Sequence, residues 1–225
     1  MTRRRAGKPL VHAIVPVNLL KRSKVRLASL LDPTHREQLT LVMFGNVLEA
    51  LKKSKEIRDV AVISADPRIR SITRRRGAQF LWETKRRGLN RALRTALEES
   101  EDGPVVIVHA DLPLLTSHDI GKLVARSKGY DLAIVPCKNL SGTNALLMNR
   151  PNSIPLAFGK GSFRKHVSLA RKRRVRYKIV RLTGIGFDVD EPRDVRWLIH
   201  QRRQTETQRF LRKLQLESSF ALGGS

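Results

Sequence analysis

Two aspartates stand one residue apart in the run Gly186-Phe187-Asp188-Val189-Asp190-Glu191, and a third, Asp111, sits in His109-Ala110-Asp111-Leu112-Pro113-Leu114 directly after an apolar stretch. Side chains alternate along an extended backbone, so Asp188 and Asp190 would face one side and could share a cation. Hard oxygen donors suit magnesium, which binds through one or two carboxylates plus substrate phosphates. The chain also carries 45 Lys and Arg against 20 Asp and Glu, a formal net charge of +25. Such a field attracts anions of every kind. Three acids at strand ends in so cationic a chain are what a divalent metal holding a polyphosphate would need. Each aspartate also has a plainer duty open to it: Asp111 could cap a helix beginning near Leu112, and Asp188 or Asp190 one beginning at Pro192.

The segment from Val15 to Leu27 contains Lys21, Arg22, Lys24 and Arg26 but no glycine. Its backbone amides therefore cannot wrap phosphates as a P-loop does. Its side chains can instead supply cations, the arginines as bidentate forks, or the segment is a basic surface turn. Thr143-Asn144 reads either as an anion contact or as an ordinary turn. Gly159-Lys160-Gly161-Ser162 opens a helix, with Ser162 as its N-cap, and free amides at such a start attract anions. His109 is expected to be a strand-end histidine satisfied by the core.

These residues need elements to position them. Leu10–Val17, Asp59–Ser64, Gln79–Trp82 and Val105–Val108 read as strands; four consecutive β-branched residues in the last mark a central strand covered on both faces. Asp32-Pro33 and Asp66-Pro67 each combine an N-cap with proline at the first helical position. Further helices are expected over about 89–99, after Thr116, over about 162–173, and from Glu191-Pro192 to about Arg203. Alternation of strands and helices through the first 135 residues predicts an α/β fold, doubly wound, with a mostly parallel sheet and helices on both faces. After that, Leu132–Val135, Ala145–Met148 and Lys178–Leu182 read as strands, with a Gly184-Ile185-Gly186 turn before the paired aspartates. One domain over residues 1–203 is expected, and 204–225 as a frayed helix or oligomer arm.

Composition narrows the class. With 40% hydrophobic residues the chain can fold around a core, and no apolar stretch approaches the roughly 18 to 20 residues that span a bilayer. The N-terminal run reads as a strand and not a signal peptide, and a lone cysteine, Cys137, fits a reducing cytoplasm. Arginine clusters at 74–76 and 171–174 read as solvated helix faces. A basic nucleic-acid-binding protein is the alternative of another class. It would need aromatics interleaved with the basic runs, and aromatic residues make up only 5%. Weak nonspecific RNA binding would follow from charge alone.

Six pieces in order carry a resemblance: Ile14-Val15-Pro16-Val17 with Ser23-Lys24-Val25-Arg26-Leu27; Gly88-Leu89-Asn90-Arg91-Ala92-Leu93; Ala110-Asp111-Leu112-Pro113-Leu114-Leu115; Gly142-Thr143-Asn144-Ala145-Leu146-Leu147; Phe158-Gly159-Lys160-Gly161-Ser162-Phe163; and Phe187-Asp188-Val189-Asp190-Glu191-Pro192. Over roughly residues 10–200 the chain resembles the 2-phospho-L-lactate guanylyltransferases of coenzyme F-420 biosynthesis, nucleotidyltransferases of the glycosyltransferase-A-like kind. The resemblance implies GMP transfer from GTP to 2-phospho-L-lactate, with phosphoenolpyruvate or 3-phosphoglycerate as alternative acceptors, and a homodimer. It implies that Asp111, Asp188 and Asp190 bind Mg2+. Lys24 and Arg26 would engage the GTP phosphates, and Pro16, Glu83, Gly88 and Asn90 would lie near the nucleotide. Thr143, Gly159 and Ser162 would hold the acceptor. The family carries lysine where this chain has Asn18, a contact that Lys21 or Arg22 would have to replace.

Overall fold

The computed structural model describes residues 10–83, 88–98 and 103–214. Among them, seven strands form one sheet in the order β3-β2-β1-β4-β6-β5-β7. The strands are β1 (Val11–Pro16), β2 (Ile57–Ser64), β3 (Gln79–Trp82), β4 (Val105–Val108), β5 (Leu132–Pro136), β6 (Thr143–Met148) and β7 (Tyr177–Ile179). All pairings are parallel except those of β6, which runs against both β4 and β5. The loosened pattern after residue 135 is this β5–β6 hairpin. Strands buried on both faces read as continuous apolar runs in either direction, so hydropathy alone does not reveal the reversal.

Side chains from alternate positions of β1 feed two separate cores. Val11, Ala13 and Val15 pack with α1 (Pro33–Lys52), α2 (Pro67–Arg75) and α4 (Ser117–Arg126). Ile14 packs on the opposite face with α3 (Leu89–Glu98) and α5 (Ser162–Lys172). The expected double winding is thus present. Asp32 and Asp66 cap α1 and α2, their side chains accepting from His35 N and Arg68 N. Thr116 and Asp119 form a reciprocal capping box in which the shorter aspartate does the work of a glutamate.

Four expectations change. The strand expected over Lys178–Leu182 is only Tyr177–Ile179, an edge strand paired with β5 alone. Leu182 instead precedes a single helical turn, α6 (Thr183–Gly186), where a loop turn was expected. Gly184 is required there, because a Cβ on it would stand 2.2 Å from Asp119 Oδ2. The helix from Pro192 stops early, as α7 (Pro192–Ile199), and Thr205 caps a separate α8 (Glu206–Lys213). That helix is not frayed. Leu211 is fully buried, Phe210 and Leu214 pack beside it, and Asn46 of α1 donates to Thr207 Oγ1 at 2.8 Å. The apolar positions that suggested an oligomer arm are therefore spent on α1 and α7, while residues 215–225 lie outside the described residues. No helix of the described residues is long and apolar enough to cross a membrane.

Candidate active site

Between β1 and α1 the chain makes two short 3-10 turns, Leu20–Arg22 and Val25–Leu27, separated by Lys24 in the left-handed conformation at φ 50° and ψ 35°. For a residue with a Cβ this conformation costs about 1 kcal/mol or more. The surroundings enforce it: Asp66 Oδ2 accepts from Leu20 N at 3.1 Å, Ser23 Oγ donates to Leu20 O at 2.6 Å, and Thr40 Oγ1 donates to Ser23 Oγ at 2.9 Å. The strained residue aims its ammonium inward. Lys24 Nζ donates to Asp111 Oδ2 at 2.6 Å and to Asp190 Oδ1 at 2.8 Å. Burial would lower its pKa, but the two carboxylates outweigh that and raise it, so Lys24 stays charged. Asp111 is likewise held below the usual carboxylate range, because Lys24 overcomes the effect of burial.

The capping alternatives are thereby removed. No helix starts at Leu112, and Glu191 is the N-cap of α7. Among the described residues no ion pair involves the Asp188 carboxylate, and Lys138 acts on it only from a distance. Burial first, and then repulsion from Asp111 and Asp190, push its carboxyl up to about 6. Its Oδ1 and Asp111 Oδ1 are both buried without a hydrogen-bond partner. A buried carboxylate oxygen left unpaired is costly, and oxygens of that kind on hard donors fit a divalent cation. Among the described residues no three acidic, histidine or cysteine side chains are gathered tightly enough to cage an ion by themselves. A magnesium ion here would need oxygen donors beyond these carboxylates.

Pro16, Asn18, Arg22, Lys24, Leu89, His109, Asp111 and Asp190 line one cleft of about 180 Å³ at the carboxyl ends of β1 and β4. Of the two cations offered in exchange for a lysine at position 18, Arg22 lines this cleft and Lys21 does not. Arg26 is exposed and lies outside that lining. Gly88 and Asn90 line a neighbouring hollow with Arg91 and Arg94, joined to the cleft through Leu89. Glu83 lines neither; it follows β3, its amide donates to Ser64 O, and burial pushes its carboxyl up. The Asn90 side chain is committed: it donates to Phe158 O at 3.0 Å and accepts from Phe158 N at 2.8 Å.

The three acceptor candidates converge on one buried network. Thr143 N donates to Ser162 Oγ at 2.9 Å. His166 Nε2 accepts from Ala157 N at 3.1 Å, so its Nδ1 carries the proton and donates to Thr143 Oγ1 at 2.9 Å. Burial brings the His166 pKa down to about 4, keeping it neutral. Ser162 is the first helical residue and not the N-cap; that place belongs to Gly161, at φ 71°. Gly159 accepts from Ser162 N through its carbonyl. Phe158 links this network to the cleft, its ring centroid 4.9 Å from His166 and 5.4 Å from His109. His109, expected to be satisfied by the core, has an unpartnered buried Nε2, and burial lowers its pKa.

Sequence reasoning missed the groups that hold the paired aspartates. Asn144 Nδ2 donates to Ile185 O at 2.9 Å, tying β6 to α6 just before them. Asp194 Oδ2 accepts from Asp190 N at 2.9 Å and Glu191 N at 2.8 Å. Lys138 Nζ donates to Asp188 O at 3.1 Å and pairs with Asp194 Oδ1. Glu191-Pro192 followed by Asp194 is a helix-start pattern that could have pointed to Asp194; nothing in the spacing announces Lys138.

Residues 11–225 match the family described as "Guanylyl transferase CofC like". The chain belongs to this family. The match runs past residue 204, beyond the stretch over which the sequence motifs resemble it. The chain is 40% identical over 190 residues to a phosphoenolpyruvate guanylyltransferase of Rubrobacter xylanophilus, covering 82% of this chain and 91% of that protein. It is 32% identical over 204 residues to a 2-phospho-L-lactate guanylyltransferase of a Methanocaldococcus species, covering 91% and 88%. A solved nucleotidyl transferase from Methanothermobacter superposes with a TM-score of 0.65 over 91% of this chain and 99% of that one, at 13% identity, and shares the fold. The protein is an enzyme, a nucleotidyltransferase of the guanylyl-transferring family.

Proposed function

We propose that this enzyme transfers GMP from GTP to the phosphate of a three-carbon 2-phospho acid, releasing pyrophosphate, in coenzyme F-420 biosynthesis. Phosphoenolpyruvate is the favoured acceptor, since relatives named for it reach 37% and 40% identity. Those named for 2-phospho-L-lactate, the acceptor implied by the sequence resemblance, stand at 32% and 33%. The observation that carries the catalytic reading is Lys24, whose ammonium is held between Asp111 and Asp190, together with the buried, unpartnered oxygens Asp111 Oδ1 and Asp188 Oδ1.

The acceptor phosphate is already largely a dianion at neutral pH, with a second pKa near 6. It needs no general base, and the buried, neutral His109 is not assigned that part. The obstacle is electrostatic: a dianion must approach a triphosphate. Asp111, Asp188 and Asp190 would hold Mg2+, which supplies charge neutralisation for the phosphates and the departing pyrophosphate. Arg22 and Lys24 add fixed positive charge on the same cleft, preorganised by the β1–α1 loop. The Thr143–Ser162–His166 network and the glycines at 159 and 161 shape the acceptor side. A homodimer is part of this proposal, and light scattering tests it separately.

The direct test is pyrophosphate release by the purified enzyme with Mg2+, each of four NTPs, and phosphoenolpyruvate, 2-phospho-L-lactate and 3-phosphoglycerate in turn. Signal is expected with GTP plus one of the two 2-phospho acids. Release from every NTP regardless of acceptor would overturn the proposal.

A further inference from the structure

The loop carrying Asp188 and Asp190 is gripped from behind by an ion pair that touches neither carboxylate. Asp194, only 4% exposed, receives two backbone amides, those of Asp190 and Glu191, on one oxygen and the Lys138 ammonium on the other. Lys138 arrives from the β5–β6 hairpin, some fifty residues earlier in the chain. It donates a second bond to the backbone carbonyl of Asp188, and its ammonium lies 4.6 Å from the Phe187 ring centroid. The pair thus fixes the backbone on both sides of Val189: Asp188 by its carbonyl through Lys138, Asp190 by its amide through Asp194. Val189 itself is fully buried. Neither of the two peptide units flanking Val189 can rotate without breaking one of these bonds.

We infer that Lys138 and Asp194 are positioning residues that set the direction of the Asp188 and Asp190 side chains, and with it the affinity of the carboxylate set for a divalent cation. The inference rests on the proposed metal role of those aspartates. Two facts favour positioning over plain stabilisation. Lys138 spends its charge on a backbone carbonyl of the site as well as on its partner carboxylate. And two of the three backbone groups held, the Asp188 carbonyl and the Asp190 amide, belong to the paired aspartates; the third, Glu191 N, makes the capping-box bond of α7. Partners that orient ligands from behind usually change metal affinity by 10- to 100-fold when removed.

The test uses Lys138→Met, which keeps the apolar stem against Phe187, Lys138→Arg, which can restore both bonds, and Asp194→Asn, which can still accept the two amides. Binding of Mn2+ in the presence of GTP without acceptor is followed by electron paramagnetic resonance. The Mg2+ concentration giving half-maximal pyrophosphate release is measured alongside, with circular dichroism to check folding. Lys138→Met is expected to weaken Mn2+ binding and raise the half-maximal Mg2+ about tenfold, while kcat at saturating Mg2+ falls much less. Lys138→Arg should recover most of the loss, and Asp194→Asn should fall between. Unchanged Mn2+ affinity in folded Lys138→Met and Asp194→Asn, or a fall in kcat alone, overturns the inference. If wild-type protein itself binds no Mn2+ and releases no pyrophosphate, the proposed function fails first and the clamp with it.

Discussion

Asp188→Asn should make the metal-free protein more stable while abolishing its activity. Burial and two neighbouring carboxylates carry the Asp188 pKa from 3.8 to about 6. A displacement of that size is worth about 3 kcal/mol. The folded pKa of an acid is raised here, so the charged form is what folding disfavours. Below pH 3.8 the carboxyl is protonated in both states and the effect is absent. It grows as pH rises between 3.8 and 6 and is complete above 6. Because the group retains some contact with solvent and asparagine's amide needs partners, about 2 kcal/mol of gain at pH 8 is expected. His166 titrates across nearly the same interval with the opposite sign. Its pKa is depressed from 6.5 to about 4, so the stability it contributes is present above 6.5 and lost as pH falls toward 4. The wild-type profile alone is therefore uninformative. The difference between variant and wild type cancels the histidine. Urea unfolding with a chelator at pH 4, 6 and 8 should give a gain that vanishes at pH 4 and is full at pH 8. A gain independent of pH, or a loss at pH 8, refutes the electrostatic account.

Lys24→Met leaves Asp111 and Asp190 without their shared cation; the chelated protein should lose about 2 kcal/mol, read by urea unfolding. Mg2+ should raise its Tm more than that of wild type, and pyrophosphate release should fall at least a hundredfold. Gly184→Ala drives a Cβ into Asp119 Oδ2, which the Thr116 capping box fixes. About 2 kcal/mol of destabilisation is expected from the overpacking, measured by chemical denaturation. Asn90→Ala removes both bonds to Phe158; about 1 to 2 kcal/mol of stability and a raised KM for GTP are expected, and an unchanged KM would show that the wall does not touch the nucleotide.

Much of the fold was legible where local chemistry is strong. Asp-Pro starts at residues 32–33 and 66–67, and the β-branched run at 105–108, each specify their element without help from distant residues. The direction of β6 was not legible, since burial on both faces erases the alternation that would mark it. Nor was the docking of α8, whose apolar residues Phe210, Leu211 and Leu214 fit an arm and a packed helix equally well by periodicity. At the site, Asp111 does follow the end of β4, but Asp188 and Asp190 follow the α6 turn and not a strand, so the strand-end argument holds for Asp111 alone. Lys24 was recognisable as one of four cations in the β1–α1 loop. Its bridging position depends on a left-handed backbone that Asp66, Ser23 and Thr40 impose from elsewhere, which spacing cannot convey. Thr143 and Ser162 were singled out by motif and bond to each other, while His166, which joins Thr143 to Ala157, lay inside an ordinary helical pattern.

A strand running backwards through the sheet delivers its first residues, not its last, to the reactive edge. In β6 that places Thr143 against Pro136, the last residue of β5, and Ala145 against Val108. The hairpin of residues 137–142 joins the end of β5 to the start of β6 and carries Lys138. Changing its length or sequence would disturb both the start of β6 and the backbone that bears Asp188 and Asp190, while leaving the β1–α1 loop of Lys24 untouched. The turn that closes this hairpin thus serves both the start of β6 and the loop of the paired aspartates, so neither can drift without the other.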